Sequence, residues 1–217
     1  MARLSRIVIP QVPHHVTQRG NRRAPIFFEP GDQALYLDLM AERCRKAGVA
    51  CWAWCLMPNH VHLILTPPDA DSLSRAVGEA HRRYTGFVNA RARQTGHLFQ
   101  SRFASVAMDD AHLLAAVRYV SLNPVRAGLV RQAQDWEWSS VRAHLAGRDD
   151  RLVRVRPVLE RVGAFTELLE EDAPGFAALR KAETTGRPLG SETFLARAER
   201  LLGRPLAPGK RGPKPKG

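Results

Sequence analysis

The sequence predicts an α+β fold in which helices cover one face of an antiparallel sheet. The predicted elements follow the order strand, helix, strand, strand, helix, strand, helix, which is typical of such folds. Two of the strands, 49–57 and 60–66, are separated only by Pro58-Asn59, so they predict a hairpin. Hydrophobic residues make up 44% of the chain, enough to build a core and to exclude wholesale disorder.

The first predicted strands and the helix between them have clear local signals. A strand is expected over residues 12–19 and ends before Gly20. A helix is predicted over 31–47, because apolar residues recur there at helical spacing and Gly48 follows the last of them. The run 49–57 is apolar throughout, which is typical of a buried strand.

The later elements are predicted from the same kinds of signal. Apolar residues at helical spacing predict a helix over 72–93, and a further strand is expected over 96–106. The helix predicted over 109–121 begins with Asp109, a residue type that caps helix N-termini. Residues 160–200 are mostly helical in pattern.

The charge of the chain indicates a polyanionic partner. The 33 Lys and Arg outnumber the 21 Asp and Glu, which gives a formal charge of +12. Such a charge favours nucleic acid first and an anionic membrane surface second. Most of the cations are Arg, whose planar group fits phosphates and guanine edges, although a GC-rich genome would produce the same bias.

The cysteines and the hydropathy bear on the compartment. Cys44, Cys51 and Cys55 are an odd number with no signal peptide before them, which predicts reduced thiols in a cytoplasmic protein. The absence of a second cysteine pair argues against a zinc ribbon. No window of 18 uncharged apolar residues occurs, so no membrane-spanning helix and no membrane partner are expected.

His60 and His62 are the strongest candidates for metal ligands. Residues two apart on a strand point to the same face, so both imidazoles could bind one cation while Val61 anchors the other face. Histidine pairs without a metal are also common, and that alternative stays open. The remaining histidines have no better spacing, and adjacent strand residues such as His14 and His15 face opposite ways. An ordinary structural or surface role is expected for His14, His15, His81, His97, His112 and His144.

Tyr119 and Asn123 form a second candidate pair. Residues four apart on a helix share one face. Pro124 disfavours helical geometry at the residue before it, so Asn123 is expected at the helix end, where it could serve only as a cap. Tyr119 alone could be a core aromatic.

These motifs occur together in two blocks, at residues 54–65 and 118–130. The first reads Trp-Cys-Leu-Met-Pro-Asn-His-Val-His-Leu-Ile-Leu and the second begins Arg-Tyr-Val-Ser-Leu-Asn-Pro. From about residue 8 to 145, the chain resembles the single-tyrosine HUH transposases, and most of all the REP-associated tyrosine transposases of bacteria. Supporting matches are found at 15–21, 96–102 and 136–140.

The resemblance implies a ferredoxin-like catalytic fold that cleaves and rejoins single-stranded or hairpin DNA. His60 and His62 would then be metal ligands, with Asn123 as the third. Tyr119 would be the nucleophile and would form a 5′-phosphotyrosine intermediate. The family uses a divalent ion, Mg²⁺ or Mn²⁺, whereas two imidazoles also suit Zn²⁺, so the identity of the metal stays open.

The resemblance also suggests how the chain is organised and how it holds DNA. We expect an HUH catalytic domain over 1–145, a helical C-terminal extension over 146–202 and a flexible basic tail over 203–217. We expect a nucleoid-associated monomer, and a dimer is the alternative because insertion-sequence relatives exchange their Tyr helices. The candidate DNA-binding residues are Arg19, Arg22, Arg23, Arg82, Arg83, Arg102, Lys210 and Arg211.

Two other functions remain as alternatives. One keeps the same site but makes the protein a replication initiator or a relaxase, and the short chain with its Tyr119–Asn123 spacing argues against it. The other is a non-catalytic protein that binds palindromic DNA. The complete set of His60, His62, Tyr119 and Asn123 argues against this loss of chemistry.

Overall fold

The computed structural model describes residues 6–170 and 176–206. Within these ranges, four strands form one antiparallel sheet in the order β2-β3-β1-β4. The strands are β1 (His14–Arg19), β2 (Ala50–Met57), β3 (His60–Thr66) and β4 (Ala104–Ala107). This order confirms the α+β class and the ferredoxin-like arrangement, with β1 and β3 at the centre.

Three long helices accompany the sheet, and shorter helices follow. The long ones are α1 (Asp32–Ala47), α2 (Glu79–Ala92) and α3 (Asp110–Arg126). A π-helical turn at Ser74–Gly78 leads into α2. The shorter helices in the described part of the chain are α4 (Val141–Leu145), α5 (Arg156–Leu159), α6 (Phe165–Glu170), α7 (Phe176–Thr185) and α8 (Glu192–Leu202).

The sheet is covered on both faces, which corrects the expectation that helices cover only one. On β3, Val61, Leu63 and Leu65 lie in the core shared with α1 and α2. Ile64 lies in a second core, shared with α3, α6 and α7. The reason is that β2 is apolar on both sides and β3 adds Ile64 to the second face, so neither face can be left to water.

The α3 helix is longer than the sequence predicts. Its start is as expected, because the Asp109 side chain accepts a hydrogen bond from the His112 backbone N–H at 3.0 Å. Its expected end at residue 121 is wrong, since the helix continues through the buried Pro124 to Arg126. Proline removes only one N–H, in the last turn, and the helix still closes with the Ala127 N–H donating to the Asn123 carbonyl at 3.0 Å. Asn123 is therefore a helical residue and not a terminal cap.

The strand predicted over 96–106 is also corrected. Only Ala104–Ala107 forms the strand β4, and the residues before it follow an irregular path. Gly96 has a φ of +120°, a conformation that interrupts a strand. Near the end of β1, isolated hydrogen bonds replace the ladder, with the Gln100 N–H donating to the Arg19 carbonyl at 2.9 Å.

The C-terminal helices pack on the same sheet. Leu189 joins the β4 edge, because its N–H donates to the Ala107 carbonyl at 2.8 Å and its carbonyl accepts from the Asp109 N–H at 3.1 Å. Ala198 and Leu206 share a small core with Ile9. The division at residue 145 stays a prediction. Of the predicted tail, residues 207–217 lie outside the described ranges.

The three cysteines and the helices agree with the expectations from composition. Cys44, Cys51 and Cys55 are buried free thiols, and burial raises the pKa of Cys44 to about 12. Among the helices of the described ranges, none combines the length and the apolar character needed to cross a bilayer.

His81 should make the stability of the fold depend on pH. It is buried against Tyr36, whose Oη lies 2.8 Å from its Nε2, and burial lowers the pKa of His81 to about 3. The pKa of histidine in an unfolded chain is about 6.5, so below that pH the unfolded state gains a proton that the folded state excludes. His81 therefore leaves the free energy of unfolding unchanged above about pH 6.5. As the pH falls from there towards 3, His81 lowers that free energy by about 1.4 kcal/mol for each pH unit.

The measurement is urea unfolding of the wild type and His81→Gln at pH 7.5 and 5.5. Glutamine keeps a polar partner for Tyr36 but does not titrate. We expect the variant to lose about 1.4 kcal/mol less stability than the wild type between the two pH values. Other buried histidines contribute equally to both proteins and cancel. The same pH dependence in both would show that His81 does not contribute.

Candidate active site

The residues of the two candidate pairs lie together on the face of the sheet covered by α3. On β3, the rings of His60 and His62 have centroids 4.8 Å apart. From α3, the Tyr119 ring lies 5.5 Å from the His62 ring, and Asn123 Nδ2 lies 2.8 Å from His62 Nε2. The structure thus brings four residues from distant parts of the sequence into one cluster.

Local geometry explains why they meet. Alternation along β3 sends Val61 into the core under α1 and α2, so His60 and His62 point to the opposite face. The α3 helix packs over β2 and β3 on that face. Tyr119 and Asn123 are one turn apart on α3, so both side chains reach the same place.

His60 offers one ring nitrogen to the site. Its Nδ1 lies 2.6 Å from Asn59 Oδ1, and Asn59 Nδ2 donates to the Arg23 carbonyl at 3.0 Å. Because an amide oxygen only accepts, His60 Nδ1 carries the proton and Nε2 keeps its lone pair. Burial, together with the charge of Arg19, lowers the pKa of His60 to about 4, so the ring is neutral at physiological pH.

His62 offers the same nitrogen. Its side chain is buried, and Asn123 Nδ2, an obligatory donor, lies 2.8 Å from its Nε2. With the amide nitrogen in this position, Nε2 carries the lone pair. Burial, with His15 and His60 beside it, lowers the pKa of His62 well below its usual range. Two neutral imidazoles with Nε2 lone pairs, beside an amide that can turn its oxygen inward, fit a divalent cation.

Tyr119 is largely buried among aromatic and cationic side chains. Its ring centroid lies 5.2 Å from that of Phe176, on α7. The guanidinium carbon of Arg126, about two turns further along α3, lies 5.2 Å from the Tyr119 ring centroid. A positive charge beside the phenol is suited to attract a phosphate towards it.

His15 belongs to the cluster, which the sequence does not predict. Its Nε2 lies 2.9 Å from His62 Nδ1, and the two rings stack with centroids 5.1 Å apart. His14 and His15 face opposite ways, as expected, but His15 is the one that faces the site, while His14 Nδ1 contacts the Val12 carbonyl at 2.7 Å. The pairing of β1 with β3 could have revealed it. Thr17 lies opposite His62, and His15, two residues before Thr17, points to the same face of the sheet.

Glu183 is the other residue that sequence reasoning missed. It lies on α7, and its Oε1 is 3.4 Å from His15 Nδ1. His15, His62 and Glu183 place possible metal-binding atoms within 4.8 Å of one another, so they form a second donor group that shares His62. No local signal in the sequence identifies Glu183, because its partner is 168 positions away (183 − 15).

Some of the basic residues predicted to bind DNA lie next to this cluster. Arg19 pairs directly opposite His60 at the end of β1. Arg22 and Arg23 are exposed in the following turn, with φ values of 53° and 62°. Arg22 also lines a cleft of about 590 Å³ with Phe28, whose side chain is 55% exposed.

The other basic candidates lie elsewhere. Arg82 and Arg83 are exposed on α2, which covers the opposite face of the sheet, and Arg82 Nη2 contacts Glu79 Oε2 at 2.9 Å. Arg102 is exposed in the segment before β4. Lys210 and Arg211 lie outside the described residues.

Comparison with known proteins identifies relatives of the chain. The family described as "Transposase IS200 like" matches residues 9–123, more than half of the chain. A REP-associated tyrosine transposase of Escherichia coli K12 is 30% identical over 99 residues, which are 43% of this chain and 55% of the relative. A putative REP-associated tyrosine transposase of Haemophilus influenzae is 27% identical over 99 residues, 41% of this chain and 56% of that one. The chain spans about half the length of these curated relatives.

A solved structure confirms the fold. It is the structure of a REP-associated tyrosine transposase bound to a REP hairpin, and it matches with a TM-score of 0.59 at 23% sequence identity. The match covers 71% of this chain and 93% of the other.

Proposed function

Because the chain belongs to the IS200-like transposase family, we propose that it cleaves and rejoins single-stranded or hairpin DNA with Tyr119 as nucleophile. The observation that carries this proposal is the convergence of Tyr119 and Asn123 with two histidines whose Nε2 atoms hold lone pairs. The relative of known structure is bound to a REP hairpin, which supports REP-like palindromic DNA as the substrate.

The proposed step is a transesterification at phosphorus. The Tyr119 hydroxyl oxygen attacks the scissile phosphate, its proton leaves to water, and the bond from phosphorus to the 3′ oxygen breaks. The products are a 5′-phosphotyrosine and a 3′-OH, which takes up one proton. A 3′-OH from the same or another strand reverses the step. One phosphodiester bond replaces another, so joining needs no external energy source.

The donor set supports a divalent cation as cofactor. His60 and His62 would hold it through Nε2, and Asn123 would hold it through Oδ1 after its amide turns. A cation there would neutralise charge that develops on the scissile phosphate. The resemblance implies Mg²⁺ or Mn²⁺, and the two imidazoles favour Mn²⁺ or a similar ion over Mg²⁺. The chain itself contributes orientation, since Asn59 and Arg23 fix the His60 ring.

The basic end of β1 supports a path for DNA to this site. Asn59 joins the two regions, because its side chain contacts both His60 and the Arg23 carbonyl. Arg19, Arg22 and Arg23 would neutralise backbone phosphates, and the exposed Phe28 beside the cleft would stack on an unpaired base. Arg126 would hold a phosphate near Tyr119.

We also propose that one chain is enough for the reaction. The Tyr119 helix packs on the histidines of its own chain, so nucleophile and ligands come from a single polypeptide. This arrangement supports a monomer over a dimer that exchanges Tyr helices.

Substitution of the nucleophile tests the reaction. Tyr119→Phe should lose cleavage and the covalent adduct while its DNA affinity stays within a few fold, because only the hydroxyl is removed. The measurement uses labelled single-stranded hairpin DNA with Mn²⁺, and an adduct that survives denaturation is scored. As a matched control, Tyr84→Phe removes a hydrogen bond to the Ile26 carbonyl in the other core, worth about 1 kcal/mol, and should keep the adduct.

Each outcome of this experiment has a meaning. Cleavage by Tyr119→Phe would reject the nucleophile assignment. If the wild-type protein binds the hairpin but forms no adduct, even with DNA from beside its own gene, the protein is a non-catalytic DNA-binding protein.

Substitution of a ligand tests the metal site. His60→Ala should abolish the cleavage that depends on added Mn²⁺ and weaken Mn²⁺ binding measured by calorimetry. His112→Ala is the control, because this histidine sits at the far end of α3 beside Asp109. Mn²⁺ binding that is equal in both variants would remove His60 from the ligand set.

Salt dependence tests the DNA path. We expect Arg22→Ala/Arg23→Ala to lower the slope of log affinity against log salt by about 1.4, since each lost phosphate contact on a single strand accounts for ~0.7. Arg82→Ala/Arg83→Ala should change it less, because Arg82 is paired with Glu79 on the other side of the sheet. Equal slopes in the wild type and the first variant would exclude this path.

A further inference from the structure

Two side chains from different parts of the chain lie behind His62, one in contact with it and the second in contact with the first. His15, on β1, places Nε2 at 2.9 Å from His62 Nδ1. Glu183, on α7, places Oε1 at 3.4 Å from the other nitrogen of His15, Nδ1. The series Glu183, His15, His62, Asn123 therefore runs from a carboxylate to the centre of the site.

The chemistry of the two ends determines where the protons lie. At one end, the Asn123 amide nitrogen can only donate, so His62 Nε2 accepts and His62 carries its proton on Nδ1. That proton points at His15 Nε2, which must then accept, and this places the His15 proton on Nδ1. At the other end, His15 Nδ1 lies 3.4 Å from a carboxylate oxygen, an ion-pair contact that is longer than a hydrogen bond. The negative charge on that oxygen stabilises a proton on His15 Nδ1, so both ends favour the same pair of tautomers.

The surroundings hold this arrangement in place. The His15 side chain is fully buried and that of Glu183 is 19% exposed. The rings of His15 and His62 are nearly parallel, with 14° between their planes. Hydrogen bonds in such a site are strong because water does not compete for them.

We propose that His15 and Glu183 are positioning residues that keep His62 in the Nδ1–H tautomer, with its Nε2 lone pair aimed into the site. The role in catalysis rests on the proposed function, because the lone pair matters only if His62 holds a metal. Hydrogen bonds to the second nitrogen of a histidine ligand commonly set its orientation and basicity. Glu183 lies outside the family match at 9–123, so the C-terminal extension takes part in the site.

The same three residues could instead bind a metal among themselves. Two nitrogens on one tetrahedral ion, each about 2.1 Å from it, lie about 3.4 Å apart, which is too far for the observed pair. Adjacent nitrogens on an octahedral ion lie about 3.0 Å apart, so the test below includes a metal bound by the three residues as an outcome. The observed 2.9 Å between His15 Nε2 and His62 Nδ1 is the distance of a hydrogen bond.

The test reads the tautomers directly, in protein labelled with ¹⁵N at histidine and free of metal. Long-range ¹H–¹⁵N correlation spectra distinguish Nδ1–H from Nε2–H rings, and His15→Gln and His62→Gln assign the two signals. We expect Nδ1–H for both residues in the wild type. Glu183→Leu removes the acceptor and should move both rings towards Nε2–H, whereas Glu183→Gln keeps an acceptor oxygen and should restore Nδ1–H.

Mn²⁺ affinity, measured by electron paramagnetic resonance, gives the second readout. Glu183→Leu should weaken binding by about 10–100-fold, and Glu183→Gln should recover most of it. Glu192→Leu, an exposed glutamate on α8, is the matched control and should match the wild type in both readouts.

The outcomes separate this proposal from the proposed function. An Nε2–H ring for His62 in the wild type, or tautomers unchanged in Glu183→Leu, would overturn the positioning role. Mn²⁺ that displaces the proton shared by His15 and His62 would also overturn it, in favour of a metal bound by the three residues. The expected tautomers with no Mn²⁺ binding at all would confirm the positioning and reject His62 as a ligand of Mn²⁺. If Glu183→Leu fails to fold, the wild-type spectrum and Glu183→Gln still decide.

Discussion

The strand β3 is buried on both faces, and the rest of the structure depends on this constraint. Alternation gives one face to Val61 and Leu63, which pack under α1 and α2, and gives the other to His60 and His62. The second face also carries Ile64 and cannot remain open to water, so α3 has to cover it. That covering helix brings Tyr119 and Asn123 with it. One requirement, the burial of apolar strand residues, therefore assembles a cluster whose members are polar.

A buried imidazole ring needs a hydrogen-bond acceptor for its N–H group. The Nδ1–H of His60 donates a hydrogen bond to Asn59 Oδ1, and the Nδ1–H of His62 donates one to His15 Nε2. Without these contacts, each buried ring would cost about 1–3 kcal/mol in lost hydrogen bonding. Each partner contacts Nδ1, so Nε2 of both rings keeps its lone pair. Satisfying the protons and presenting the lone pairs are thus two results of one arrangement.

Much of this could be predicted from short-range patterns. The hairpin around Pro58-Asn59, the helix that begins near Asp32 and the spacing of Tyr119 and Asn123 all depend on neighbours in sequence. The errors arise where distant packing decides. The helix continues through Pro124, which is buried in its last turn, and β4 is shorter than predicted because the residues before it, from Gly96 onward, follow an irregular path. His15 and Glu183 join the site through contacts 47 and 168 positions away (62 − 15 and 183 − 15), which no local pattern records.

One carboxylate at the start of α3 limits how this helix can behave. Asp109 Oδ1 accepts from the His112 N–H, and Oδ2 accepts from the Ser191 N–H at 2.8 Å, just before α8 begins. The same group thus joins the starts of two helices. The bond to His112 caps α3 itself, whereas the bond to Ser191 ties α3 to α8, so displacement of α3 relative to α8 would break the second bond. This tie, together with the apolar packing of α3 on the sheet, holds Tyr119 over the histidines of its own chain. In the proposed reaction, the exchange of ends between cutting and joining therefore falls to the nucleic acid, whose free 3′ end is replaced while the protein stays still.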